Sequence, residues 1–206
     1  MSGSRPASLT PVLEAEELRE RGLETCVGVP PIVLEIGFGR ADFLMALADA
    51  EPTRQFLGVE ISRKRVEKAG RRVMRRELAN VHLIKAPAEY LLERVLPEES
   101  VGECWINCPD PWPKKRHHRR RLLNGEFLSR LGRGMFPGSA LHISTDHQGY
   151  AEWIHDALSK ADGFHNLHAP EPWSKQCPRR PQTAYEAEWV AEGRTIVYFD
   201  YRWGAE

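Results

Sequence analysis

"IVLEIGFGRADFLMALADA", residues 32–50, reads as a strand, a glycine turn and a helix in nineteen residues. Ile32, Val33, Leu34 and Ile36 form an apolar, partly β-branched run of strand length. Gly37 and Gly39 end it, and from Asp42 the apolar residues recur at helical spacing. Upstream, "VPP" at 29–31 breaks the chain before the strand. Downstream the unit repeats. "QFLGVE" predicts a second strand and 62–78 a helix, with Ser62 as its cap. "VHLI" is a third strand and "AEYLLERVL" a short helix. "ECWIN" is a fourth strand, and Asn124 caps "GEFLSRLGRGM". "ALHIST" is a fifth strand and "DHQGYAEWIHDALSKA" an amphipathic helix. A short strand near 164–168, a Pro-rich loop at 169–181, the helix "TAYEAEWVAEG" and the strand "TIVYFDYRW" complete the chain. Thr10 and Pro11 read as cap and first position of one further helix, ending near Arg21. Strands alternating with helices predict an α/β fold: a parallel sheet covered on both faces.

In such a sheet, ligands bind at the carboxyl ends of the central strands. The first strand ends at Gly37 and Gly39, where a chain without Cβ atoms can turn sharply against a ligand. The second ends at Glu60, 21 residues beyond Gly39, where an acid can accept hydrogen bonds from both ribose hydroxyls of a nucleoside. A dinucleotide fingerprint needs a third glycine near position 42, which is Asp here. Glu35 would also repel a pyrophosphate. A carboxylate at that place suits a cofactor with a cationic amino group, which favours S-adenosylmethionine over NAD.

The 206 residues suit one domain and can bury a core without disulfides or metal. The first 22 residues contain no apolar run and no apolar stretch is long enough to span a membrane, so a cytoplasmic protein without signal peptide is expected. Four cysteines without a C-x-x-C pair read as reduced and structural. Lys and Arg total 29, as do Asp and Glu, but the balance is local. Residues 1–51 carry nine acids and four bases, whereas 63–76 carry eight bases and one acid, and so do 114–133. On a helical wheel Lys64, Lys68, Arg71, Arg72, Arg75 and Arg76 fall opposite Val66, Ala69, Gly70 and Val73. Two such basic clusters suit a polyanion, and nucleic acid is the usual one.

"CPDPWPKKRHHRRR", residues 108–121, follows the fourth strand. Pro109, Pro111 and Pro113 stiffen a turn that carries Asp110 and Trp112. The fourth strand adjoins the first in this fold, so Asp110 should face the cofactor crevice. Trp112 can either stack on a base or pack against the turn.

With these residues in view, "LEIGFG", "GVE", "PDPWPKKRHHRRR", "STD" and "TAYE" resemble the bacterial tRNA (guanine-N7)-methyltransferases, TrmB-like enzymes, over roughly residues 32–202. The resemblance implies a Rossmann-like class I S-adenosylmethionine-dependent methyltransferase with a mostly parallel seven-stranded sheet. It implies one domain over 1–206, with 1–31 an N-terminal extension and 32–202 the catalytic core. It implies that Glu35, Gly37, Gly39, Glu60 and the adenine-flanking loop Pro87, Ala88 and Glu89 meet the cofactor. Asp110 would be catalytic and close to the cofactor. Lys114, Asp146, Thr183, Tyr185 and Glu186 would bind the substrate nucleoside. Arg116, His117, His118, Arg119, Arg120 and Arg121 would meet tRNA. The sequence departs from the family pattern at Ala41, where many relatives have a third Gly, and at Pro87, where they have Asp or Asn beside the adenine. Tyr185 replaces Phe and Gly125 replaces a common Pro.

Guanine N7 carries an in-plane lone pair and loses no proton on methylation, so the lack of an obvious His–Asp or Cys–His pair is no obstacle to this chemistry. His117, His118, His142, Asp146 and His147 include possible metal ligands, but their arginine-rich setting disfavours a cation, and no metal is expected. Two rival readings stand beside this one. An exocyclic-amine methyltransferase would place two prolines between the polar residue and the aromatic; here only Pro111 separates Asp110 from Trp112. A silent RNA-binding module would have no evident need for Glu35, Glu60, Asp110, Asp146 and Glu186. Monomer and homodimer are both open.

Overall fold

The computed structural model describes residues 11–178 and 180–204. In chain order they form β1 (Val12–Leu13), α1 (Ala15–Arg21), α2 (Leu23–Cys26), β2 (Ile32–Ile36), α3 (Asp42–Ala50), β3 (Phe56–Glu60), α4 (Arg63–Arg75) and β4 (Val81–Lys85). There follow α5 (Ala88–Tyr90), widened into a π-helix over Leu91–Val95, and then β5 (Val101–Asn107). A 3-10 helix (Lys115–Arg120), α6 (Gly125–Gly134), β6 (Met135–Thr145), α7 (Gln148–Ser159), β7 (Phe164–Asn166), α8 (Ala184–Ala191) and β8 (Val197–Trp203) complete it. The sheet runs β1-β4-β3-β2-β5-β6-β8-β7, parallel except where β8 meets β6 and β7.

Period-two alternation divides the core. Ile32, Leu34 and Ile36 of β2 join one cluster with Leu18, Leu91, Phe127, Tyr150 and Ile154. Val33 points the other way, into Phe43, Leu44, Val66, Val73 and Trp105. Both faces of the sheet are therefore covered, as parallel strands require. Glu35 shares the face of Val33 and so lies on the side of α3. Ser62 and Asn124 cap α4 and α6 by accepting from Arg65 N and Phe127 N, as their positions predict.

The sheet has eight strands among the described residues, not the seven expected. The additional one is β1. Pro11 O accepts from Leu83 N at 2.7 Å, so this segment extends the sheet edge and the first helix begins only at Ala15. Pro is tolerated there because an edge strand can spare its donor. Gly70 makes the fit possible: a methyl there would stand 2.7 Å from Val12 Cγ2. Thr10, the other half of the expected cap, lies outside the described residues.

Candidate active site

Strand order reverses between β2 and β5, which leaves a crevice at their carboxyl ends. Two adjoining cavities open there, of about 210 and 540 Å³, and both are lined by Gly37, Arg65, Asn107, Cys108 and Asp110. Glycine is favoured at the floor: φ is +74° at Gly37 and +53° at Gly39. Ala41 also adopts a left-handed φ of +58°.

Glu35 lines the smaller cavity and is 2% exposed. Its Oε1 accepts from Asn107 Nδ2 at 3.4 Å, and its buried Oε2 has no partner. Burial pushes this carboxyl up to about 8, against the hydrogen bond from Asn107 and the charge of Arg180. Without a cation beside it, Glu35 therefore holds its proton at neutral pH. Glu60 is also buried but well supplied. Its carboxylate accepts from Gly39 N at 3.2 Å, Ser62 N at 3.0 Å and Arg65 Nη1 at 3.3 Å. A carboxylate offers about four acceptor positions, so one is left, and a second opens if half-exposed Arg65 swings away. Of the expected adenine loop, Ala88 and Glu89 line the larger cavity, whereas Pro87 lines neither and starts α5 instead.

The turn after β5 places Asp110 where the two cavities meet. Asp110 is exposed, with no hydrogen bond or ion pair among the described residues. Cys108 and Trp112 on either side have φ of +49° and +43°, a conformation that bulky residues rarely adopt and that clusters at functional sites. Arg121 holds the turn in place. It is 4% exposed, donates from Nε to Pro111 O at 2.9 Å, and packs its guanidinium over the rings of Tyr150 and Trp153. The expectation that Arg121 meets RNA is thus corrected: aromatic rings and a carbonyl oxygen receive this cation inside the protein. Trp112 lines the larger cavity, with Arg120 4.9 Å over its ring and His117 at its edge. Burial pushes the Cys108 thiol up to about 12, so it is no nucleophile at neutral pH.

Lys114, Arg116, Arg119 and Arg120 are exposed and His117 and His118 half-buried, in and just before the 3-10 helix. Of these residues Arg120 lines the larger cavity. At the other rim, Thr183, Tyr185 and Trp189 bring α8 to the smaller cavity. Glu186 does not join them. It is fully buried, accepts from Thr183 N at 2.7 Å in a capping box, and pairs with both terminal nitrogens of Arg180. Glu186 thus lies behind the residues that line the cavity, held by Arg180 and Thr183. Asp146 lines neither cavity and accepts from Arg194 Nη1 at 2.9 Å. His142 binds Asp200 and His147 caps α7. Among the described residues no group of three metal-ligating side chains comes together.

Sequence reasoning passes over Asn107, Arg65 and Arg180. Asn107 is accessible from register: Glu35 pairs with Trp105, so the residue two further on points to the same side. Nothing in the Pro-rich loop distinguishes Arg180, which packs over Phe43, Trp105 and Tyr198.

A family model described as "Putative methyltransferase" matches residues 30–199. A tRNA (guanine-N(7)-)-methyltransferase of Syntrophotalea carbinolica is 38% identical over 84% of this chain and 74% of its own. One from Halorhodospira halophila is 37% identical over 90% and 82%. Among solved structures, a 16S rRNA (adenine(1408)-N(1))-methyltransferase from Catenulisporales acidiphilia superposes with a TM-score of 0.59 at 16% identity, covering 100% of this chain and 96% of that one. The aminoglycoside resistance methyltransferase NpmB1 gives 0.56 at 19% identity, over 92% and 93%. These two show the methyltransferase fold alone. The family model and the two sequence relatives go further: the chain belongs to the tRNA (guanine-N7)-methyltransferase family.

Proposed function

We propose that this protein transfers a methyl group from S-adenosylmethionine to N7 of a guanine in tRNA, in the variable loop by resemblance, forming 7-methylguanosine. One observation carries the reading: Asp110, a carboxylate with no hydrogen bond or ion pair among the described residues, stands where the two cavities join, and buried Glu35, whose Oε2 has no hydrogen-bond partner, lines one of them. The chain works as one domain in the cytoplasm; among the described residues no helix is long and apolar enough to cross a membrane.

The donor set fits the cofactor. Glu35 would receive its ammonium group, Gly37 and Gly39 would let it approach the backbone, and Glu60 would take ribose hydroxyls. Ala88 and Glu89 would border the adenine, with Glu89 in place of the carboxylate or amide that Pro87 lacks. When bound, S-adenosylmethionine supplies a methyl group activated by its sulfonium. The protein need not remove a proton, because the N7 lone pair is free at neutral pH. Positioning is then the main task, and can contribute about 7–11 kcal/mol. Asp110 accepts from guanine N1–H and the exocyclic amine, fixes the base, and stabilises the positive charge that N7 methylation leaves on it. Thr183, Tyr185, Lys114 and Asp146 border the nucleoside; Asp146 does so once Arg194 releases it. Lys114, Arg116, His117, His118, Arg119 and Arg120 hold the RNA backbone. No metal is needed. The test is transfer of labelled methyl to unmodified tRNA, followed by borohydride reduction and aniline scission of the chain at the N7-methylated guanine. Labelled tRNA that stays intact through that treatment contradicts the reading.

Glu35 adds a pH signature. In the free protein it keeps its proton to about pH 8, whereas the unfolded chain loses it near 4.5. The folded state binds more protons in that window, so the stability of the free protein falls as pH rises from about 4.5 to 8. A bound ammonium reverses the preference and ionises Glu35. Calorimetry at pH 7 in buffers of different ionisation enthalpy should find about 0.9 proton released per cofactor bound. Glu35→Gln should abolish the release and weaken binding roughly 10- to 100-fold. Equal proton release in the two proteins would refute the pairing.

A further inference from the structure

The second basic cluster is not consumed by the site. α4 buries Val66, Ala69, Gly70 and Val73 against the sheet. Apart from Arg63 at its first position, the cations at 64–76 divide into two sets. Arg65, Arg72 and Arg76 turn toward the protein and pair with Glu60, Asp42 and Asp49. Lys64, Lys68, Arg71 and Arg75 are exposed and make no ion pair among the described residues. Their spacing of four, three and four residues places them in one stripe, within an arc of about 60°, opposite the buried face.

Helix stability does not explain this stripe. Neighbours three and four apart carry like charge, which disfavours the helix. The first turn contains no acid, and its cations oppose the helix dipole. A polyanion along the stripe would relieve both. The location indicates which one. Ile61, Ser62 and Arg65, at and just before the start of α4, line one side of the larger cavity, and Trp112 and Arg120 line the other. In the reading above that cavity takes the cofactor's adenosine, so the first turn of α4 borders the cofactor side of the cleft. From Lys64 to Arg75 the stripe runs about 16 Å onward.

We propose that Lys64, Lys68, Arg71 and Arg75 form a second contact surface for the sugar-phosphate backbone of RNA, engaged together with residues 114–120 on the opposite rim. The two surfaces would flank the cleft, so that RNA bound across it could reach both. This rests on the tRNA reading above but is tested separately from it, by direct binding.

The experiment compares wild type, a variant combining K68A, R71A and R75A, and a control combining R133A, K160A and R202A. The control removes the same charge at the amino-terminal end of the parallel strands. The probe is an unmodified tRNA transcript, titrated from low to moderate salt. The α4 variant should bind at least roughly tenfold more weakly. Its plot of log K against log salt should be shallower by about 2, since each phosphate left without its cation takes about 0.7 from the slope. KM for tRNA should rise with kcat at saturating tRNA unchanged, and cofactor affinity should match wild type. A variant that binds tRNA with the affinity and salt slope of the control overturns the proposal, and would assign the stripe to another acidic partner or to none. If wild type binds tRNA but does not methylate it, the reaction fails, and the binding comparison still decides the surface.

Discussion

Asp110→Asn should lower kcat on tRNA by about 100- to 1,000-fold, the usual cost of removing a group aimed at charge that develops in the transition state. The Kd for tRNA should stay within about twofold, because the phosphate contacts supply most of that affinity. The melting temperature should not fall, since Asp110 is exposed and makes no hydrogen bond or ion pair among the described residues. That combination separates Asp110 from its neighbours. Arg121→Ala would also reduce turnover, but by loosening the turn and with a loss of stability, because Arg121 holds Pro111 O from the interior. Full turnover by Asp110→Asn with unchanged RNA affinity would remove Asp110 from the reaction.

Arg180→Ala should produce the largest structural effect. Arg180 and Glu186 are 3% and 0% exposed, and the guanidinium lies against three aromatic rings. Burial pushes the Glu186 carboxyl up, but the hydrogen bonds and charge of Arg180 outweigh it and hold the carboxyl below its ordinary value. The pair therefore stabilises the protein above the ordinary carboxylate range, and that contribution is lost as pH falls through the depressed value. Removing Arg180 leaves a buried charge without a partner, at about 3–5 kcal/mol. For a chain of this size the melting temperature should drop by about 10 °C. Hydrogen exchange should show α8 opening first, and cofactor affinity should fall with it, because Tyr185 and Trp189 line the cavity. Replacing both partners by apolar residues, as in R180M with E186L, should recover most of the loss. An unchanged melting temperature in Arg180→Ala would show that the pair carries no such weight.

Local chemistry makes most of the fold legible. The apolar run 32–36 and the glycine turn after it read as strand and crevice floor because a buried parallel strand has no polar face to disguise it. Glu35, Glu60 and Asp110 stand out because each sits at or near the carboxyl end of a strand, where the fold concentrates ligands. β1 escapes a sequence reading because it has two residues, and Thr-Pro before an acidic, apolar-periodic segment imitates a helix start. Arg121 and Glu186 read as contact residues because the family resemblance carries them over motif by motif. Their burial depends on tertiary partners, Tyr150 and Trp153 for one and Arg180 for the other, that no local pattern announces. Pro87 differs again: it belongs to the loop expected to flank the adenine, but it caps α5 while Ala88 and Glu89 line the cavity.

The most direct measurement is mass spectrometry of nucleosides from bulk unmodified tRNA after incubation with the purified protein and S-adenosylmethionine. The expected product is 7-methylguanosine, formed by wild type and nearly absent with Asp110→Asn. Methylation on an exocyclic amine, or tRNA that is bound but left unmodified, would contradict a reaction at guanine N7.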